Sequence, residues 1–249
     1  MMKGEGVARP MMEAVDPRLL SVQDEVREHF GWSHDEDVVS AKRLLSALSG
    51  SSPFSVQHWS PGARQATLER LVRHLRAASD VIVVGAAAEP EDVKAMLTEG
   101  SVVVAADGAV GACHDVVSAL CVVTDLDGGE HLDRAAREGV PLIVHAHGDN
   151  LDTWPGILEM WSSLDAPPPL MLTHQTREHL LDMHNPGGFT DGDRAVCMLL
   201  AAGVTPNRIQ RVGFSTHRVG RWSGVTEPTR KLDKLKWMER ILGWILPRN

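Results

Sequence analysis

Residues 120–128 read Leu120-Cys121-Val122-Val123-Thr124-Asp125-Leu126-Asp127-Gly128, four apolar residues running straight into an acid-rich turn that ends on glycine. An unbroken apolar run of this length, with a turn directly behind it, is the pattern of a strand buried on both faces. The pattern recurs. Val81-Ile82-Val83-Val84, Val102-Val103-Val104-Ala105, Leu142-Ile143-Val144 and Leu170-Met171-Leu172 repeat it, and a last run lies near residues 209–214. Helical periodicity over residues 91–99, 130–138 and 191–202 separates the runs. Strands and helices that alternate in this way predict an α/β fold built on a mostly parallel, doubly wound sheet.

Ahead of residue 79 the pattern differs. Residues 1–15 are aperiodic and read as a flexible tail. From Asp16, with Pro17 in the first turn, Leu19, Leu20, Val22, Val26 and Phe30 recur at helical spacing. A second helix is expected over residues 37–48, broken by Ser49-Gly50-Ser51-Ser52-Pro53, and a third over about 61–78 with a stripe at Leu68, Leu71, Val72 and Leu75. The expected division is therefore a tail and helical annex over 1–78, then an α/β domain over 79–249. That domain closes on a basic helix whose apolar face is Leu232, Leu235, Met238, Leu242 and Ile245.

Charge is divided unevenly along the chain. The formal net charge of the 249 residues is −8, yet residues 205–249 carry ten basic and three acidic side chains, a net of +7. The remainder therefore stands at −15, which argues against a nucleic-acid partner that needs a positive footprint. No apolar run approaches the ~18 residues of a membrane helix, and no secretory signal opens the chain. Cys113, Cys121 and Cys197 form no CxxC pair, the inventory of a reduced, cytoplasmic protein. Tyrosine is absent, which removes any mechanism that needs its phenol.

In open parallel sheets, ligands bind beyond the carboxyl ends of the strands. The residues there are Gly85-Ala86-Ala87-Ala88-Glu89-Pro90, Asp107-Gly108-Ala109, Thr124-Asp125-Leu126-Asp127-Gly128, His145-Ala146-His147-Gly148-Asp149-Asn150 and Thr173-His174-Gln175. Any one of these acids could be a turn or capping residue. Acids at strand end after strand end go beyond turn chemistry, because clustered carboxylates repel one another unless a cation gathers them. All-oxygen ligands favour Mg²⁺. His145-x-His147-x-Asp149 also has zinc-compatible spacing, with all three side chains on one side of an extended segment. Against zinc, the segment continues with Asn150 and its neighbours are hard carboxylates.

The loop Asn185-Pro186-Gly187-Gly188-Phe189-Thr190-Asp191-Gly192-Asp193-Arg194 leads into a helix. Its glycines suit phosphate approach, whereas Asp191 and Asp193 either cap the helix or meet phosphate through a metal. P-loop and dinucleotide fingerprints are absent. Lys231 and Lys234, three apart near the start of the last helix, can jointly hold an anion, and Arg218 and Arg221 in a Gly-flanked loop are further phosphate candidates. Lys236 reads as part of a solvated face.

These motifs, with the Lys-x-x-Lys-Leu helix, together resemble the archaeal 6-hydroxymethyl-7,8-dihydropterin pyrophosphokinases, a family similar in fold to the thiamine pyrophosphokinases. The resemblance covers about residues 80–245. It departs from the family in lacking an acid in Val212-Gly213-Phe214-Ser215-Thr216 and in having Trp222 where a tyrosine is usual. It implies Mg²⁺-dependent transfer of diphosphate from ATP to the hydroxymethyl group of a reduced pterin with release of AMP, a step in pterin or folate-type cofactor biosynthesis. It further implies Asp107, Asp125, Asp127 and Asp149 as catalytic metal ligands, with Asp191 and Asp193 supporting the metal or the pterin. Lys231 and Lys234 would neutralise phosphate, Asn150 and Thr190 would read polar substrate edges, His147 would touch pterin or a ligand, and the protein would be a homodimer. The alternatives are a thiamine-type pyrophosphokinase, a metal-dependent hydrolase built on the HxHxD segment, and a non-catalytic nucleotide-binding module.

Overall fold

The computed structural model describes residues 12–224 and 226–246; the first eleven residues of the expected tail lie outside them. Six parallel strands, β1 (Val81–Val84), β2 (Val102–Ala106), β3 (Cys121–Thr124), β4 (Leu142–Ala146), β5 (Leu170–His174) and β6 (Ile209–Val212), lie side by side in the order β5-β4-β3-β2-β1-β6. This is the α/β sheet expected from the apolar runs. Helices α4 (Pro90–Met96), α5 (Gly129–Arg137), α6 (Trp154–Ser162) and α7 (Asp191–Ala201) connect the strands, and α8 (Pro228–Ile245) ends the described chain. The annex is α1 (Arg18–Phe30), α2 (His34–Ala47) and α3 (Pro61–Ala77).

Alternation along each strand sorts the apolar side chains into two cores. Ile82, Val84, Val103, Ala105, Val122 and Val144 face α2, α4, α5 and α6. Val81, Val83, Val104, Val123 and Ile143 face α3, α7 and α8. The annex thus covers both faces of the sheet, which is why every strand but the edge strand β6 carries apolar residues at its first three positions in succession. Helix α1 lies outside, packing Leu19, Val22 and Val26 on Phe189, Cys197 and Ile241. Met12 and Glu13, read from sequence as tail, are fixed in place. The Met12 amide donates to His184 Nδ1 at 3.2 Å, and Glu13 bridges Asn185.

Local chemistry sets the element ends. Gly31 closes α1 at φ 70°, returning its N–H to Arg27 and Glu28. Ser33 caps α2, whose first turn carries Asp35, Glu36 and Asp37 beside the positive end of the helix dipole. Helix α6 has no counterpart in the sequence reading: Pro155 sits at its first turn, and Gly156 next to it imitates a turn. No helix among the described residues is long and apolar enough to cross a membrane.

The chain steps from β1 to β5 in one direction and then returns to place β6 on the other side of β1. The switch point thus lies between β1 and β6, whose following loops are joined by the Ala87 amide donating to the Gly213 carbonyl at 2.9 Å, and a cleft lined by both loops opens at the carboxyl edge of the sheet.

Candidate active site

Two glycine turns bring the acids together. Asp107 follows β2 in a left-handed conformation at φ 49° and opens a short 3₁₀ turn. Thr124, the last residue of β3, donates its hydroxyl to Asp107 Oδ1 at 2.5 Å and accepts the Leu126 amide at 2.8 Å. That pair folds the Asp125-Leu126-Asp127 turn back over β2. A methyl on Gly128 would sit 2.7 Å from the Gly108 nitrogen and 2.8 Å from Asp107 Oδ1, and one on Gly108 would sit 2.5 Å from the Trp222 carbonyl. The glycine after each acid is therefore what allows the two turns to touch. As a result, ligand oxygens of Asp107, Asp125 and Asp127 all lie within 4.8 Å of one another.

Acids this close alter one another's protonation. Burial, then the charges of Asp127, Asp191 and Asp125, push the Asp107 carboxyl well above its ordinary value. Desolvation by the surrounding cleft and neighbouring Asp125 raise Asp127, although that residue remains open to solvent. Burial, with Asp125 and Asp127 beyond it, pushes Asp191 up to about 8. Burial works against charge on Asp125 too, but His147, Arg194 and Lys231 outweigh it and hold that carboxyl well below the usual range. His147 Nε2 lies 3.4 Å from Asp125 Oδ2, yet Asp125 Oδ1 is buried with no hydrogen-bond partner. A buried, charged, unpaired carboxylate oxygen among other hard oxygen donors fits a divalent cation such as Mg²⁺.

The remaining sequence-derived residues divide into groups. Thr190, Asp191, Arg218 and Lys231 line the switch-point cleft with Asp107 and Asp127, closed by Gly85, Gly213, Phe214 and Gly220. Arg218 reaches the Ala87 carbonyl at 3.0 Å. Arg221 is exposed, over the Trp222 ring at 4.6 Å and 3.5 Å from Glu89. Lys234 stands beside Asp125 and Asp149, its ammonium 5.0 Å from the Trp32 ring and 6.0 Å from the Phe189 ring; burial lowers its pKa. Asp149 is exposed and outside the group of three acids.

Two residues expected to touch substrate spend their polar atoms on the chain itself. The Asn150 side chain accepts from the His147 amide and Ser40, and donates to the carbonyls of Asp125 and His145 at 3.0 and 2.7 Å. It pins the β3 and β4 ends together. Asp193 is fully buried and accepts from the Phe189 and Thr190 amides at 2.6 and 2.8 Å and from the Thr190 hydroxyl, so it caps α7.

The HxHxD segment does not present its three side chains on one side. The chain turns at Gly148 into a 3₁₀ turn, held by Asp37, which accepts the Gly148 amide at 2.8 Å, and packed so closely on α2 that a methyl at Gly148 would meet Glu36 Cβ at 2.9 Å. His145 is buried with Nδ1 on Thr173 at 3.0 Å and Nε2 on Gln175 at 3.3 Å, leaving neither nitrogen for a metal. Burial keeps that imidazole neutral.

Arg194 was missed by the sequence reading although it stands in the quoted loop. Only 5% exposed, it donates to Asp191 Oδ1 at 3.2 Å and to Gln175 Oε1 at 3.0 Å, and lies 3.8 Å from Asp125 Oδ2. Its position beside two acids in Asp191-Gly192-Asp193-Arg194 was the available signal. Gln175 carried the signal of its place directly after the fifth apolar run, whereas Trp32 and Asp37 carried none, since their relation to the site is purely three-dimensional.

The chain matches no family model. It is 39% identical over 151 residues to the 6-hydroxymethyl-7,8-dihydropterin pyrophosphokinase of Pyrococcus furiosus, covering 57% of this chain and 61% of that protein. It is 38% identical over 165 residues to the protein of the same name from Methanothermobacter thermautotrophicus, covering 61% and 66%. The chain is thus similar in sequence to archaeal proteins of that name. A third such protein, from Methanocaldococcus jannaschii, is 28% identical over 190 residues, 72% of this chain and 70% of that protein. The first two matches span less than two thirds of those relatives' lengths.

Proposed function

We propose that this chain is a pyrophosphokinase that transfers the terminal diphosphate of ATP to the hydroxymethyl oxygen of 6-hydroxymethyl-7,8-dihydropterin, in the cytoplasm. The observation that carries the reading is the Asp107–Asp125–Asp127 cluster with its unpaired Asp125 oxygen, set at the mouth of the switch-point cleft and faced by Lys231. The names of the three relatives support the substrate class. The reducing setting is supported by three buried cysteines, none in a disulfide.

In the reaction the alcohol oxygen bonds to the β-phosphorus while the bond from that phosphorus to the oxygen bridging to the α-phosphate breaks, and AMP leaves with that oxygen. Asp107, Asp125 and Asp127 would hold Mg²⁺. When bound, that ion neutralises charge on the phosphates and fixes their geometry. The chain's own groups supply the rest. Lys231 and Arg218 at the cleft, and Lys234 beside Asp125, offset phosphate charge. Asp191 lines the same cleft beside Asp127. Its carboxyl, pushed up to about 8 by burial and by the charges of Asp125 and Asp127, is neutral while no cation offsets those charges; with a cation bound it would ionise and is the group we assign to take the alcohol proton. Trp222, Phe214 and Met238 wall the cleft with apolar surface that keeps water away.

The test is AMP formation from ATP and Mg²⁺ with the hydroxymethylpterin, with thiamine, or with no acceptor. AMP formed only with the pterin is expected. AMP formed equally with thiamine or with water overturns the assignment.

A further inference from the structure

The buried polar chain that joins the annex to the acids has a direction. Asp37, 4% exposed at the start of α2, accepts from Arg27 at 2.9 Å, from the Gly148 amide at 2.8 Å and from Gln175 Nε2 at 2.8 Å. An ionised carboxylate only accepts and a guanidinium only donates. With its NH₂ end committed to Asp37, Gln175 must turn its carbonyl toward Arg194, where Oε1 accepts from Nη2 at 3.0 Å. Asp37 thereby fixes which way the Gln175 amide points, and Gln175 at Nη2, together with Asp191 Oδ1 at 3.2 Å from Nη1, fixes where Arg194 stands.

The position so imposed is unusual for an arginine beside an acid. Arginine and carboxylate ordinarily close to about 2.7–2.9 Å, often through two parallel bonds. Arg194 Nη1 stops 3.8 Å from Asp125 Oδ2, Arg194 Nε is buried without a partner, and Asp125 Oδ1 is left unpaired. We infer that Asp37 and Gln175 are positioning residues that tether Arg194 away from Asp125, so that the Asp125 carboxylate is kept open for a divalent cation instead of being closed by an internal ion pair. The annex is in this way part of the active site without touching substrate. The inference rests on the proposed reading of the acid cluster as a cation site.

The test uses Mn²⁺ alone as the probe, bound to the full chain and followed by electron paramagnetic resonance and calorimetry, with no nucleotide and no turnover. In Gln175→Met the tether is lost at similar volume; Arg194 closes on Asp125, and Mn²⁺ affinity falls about tenfold, the scale of one charge-assisted ion pair. Adding Arg194→Gln to Gln175→Met removes the competitor and returns affinity to within about twofold of Arg194→Gln alone, the non-additivity expected of directly coupled side chains. Asp37→Asn, which frees the Gln175 amide to turn, lowers affinity in the same sense and serves if Gln175→Met does not fold. Unchanged Mn²⁺ affinity in the tether variants, or a double variant as weak as Gln175→Met, overturns the inference. Mn²⁺ binding by the wild type with rescue in the double variant, but no AMP formed by the wild type, overturns the proposed reaction and leaves the tether standing. Wild-type protein that binds no Mn²⁺ overturns both.

Discussion

Replacing Asp191 by asparagine should stabilise the cation-free protein while abolishing its reaction. Asp191 is an acid whose folded pKa is raised from 3.8 to about 8 by burial and by the charges of Asp125 and Asp127. For a raised carboxyl the sign is fixed. The neutral form is favoured by the fold, so its stability is fully present below about pH 4 and is lost as pH climbs through about 8. At ~1.4 kcal/mol per pH unit the interval is at most ~6 kcal/mol, and because Asp191 titrates together with Asp125 and Asp127 we take about half of it, ~3 kcal/mol, as the share lost at Asp191. For a chain of this size that is a shift of about 6–12 °C in Tm. The assay is thermal unfolding of wild type and Asp191→Asn from pH 4 to 9 in chelator. The two should agree in the acid limb and separate progressively above pH 5, with the variant higher. Excess Mg²⁺ should bring the wild type back up. Parallel curves across the whole range refute the reasoning, because they mean that Asp191 is not held neutral by its neighbours.

Other perturbations reach different parts of the site. Asp125→Asn or Asp127→Asn should each lower kcat by about 100-fold or more, since a cation clamp on phosphate is worth several kcal/mol, with calorimetry showing loss of Mg²⁺ binding. Gly128→Ala drives a methyl against the Gly108 amide and the Asp107 carboxylate. Overpacking of this kind costs about 1–3 kcal/mol, so denaturant unfolding should weaken by that amount together with cation affinity. Trp32→Leu removes the ring under the Lys234 ammonium, a contact of about 1 kcal/mol, and should raise KM for ATP several-fold with kcat nearly constant, whereas Trp32→Phe should recover most of the loss.

The sheet was readable because burial on both faces leaves a plain mark, three to five apolar residues in succession, and every strand bears it apart from the polar edge strand β6. Helix α7 begins at Asp191 as expected, since Thr190 and Asp193 form a capping box that sequence displays directly. Helix α6 was hidden by Pro155-Gly156, residues that open a helix here and mark a turn elsewhere. In the site, residue type was legible and orientation was not. Asn150 and Asp193 stand in the right loops, yet their side chains turn inward to hold those loops in shape. Arg194, Gln175 and Asp37 act across 19 and 138 residues of sequence, and no local pattern announces a hydrogen bond of that span.

The central claim, that two phosphates move together onto an alcohol, is tested most directly by following the label from ATP carrying isotopic phosphorus at both the β and γ positions. With the hydroxymethylpterin and Mg²⁺, a single turnover should place both labels on the pterin and leave AMP unlabelled. Label appearing only from the γ position with ADP as co-product, or released as free phosphate or pyrophosphate, would contradict the account.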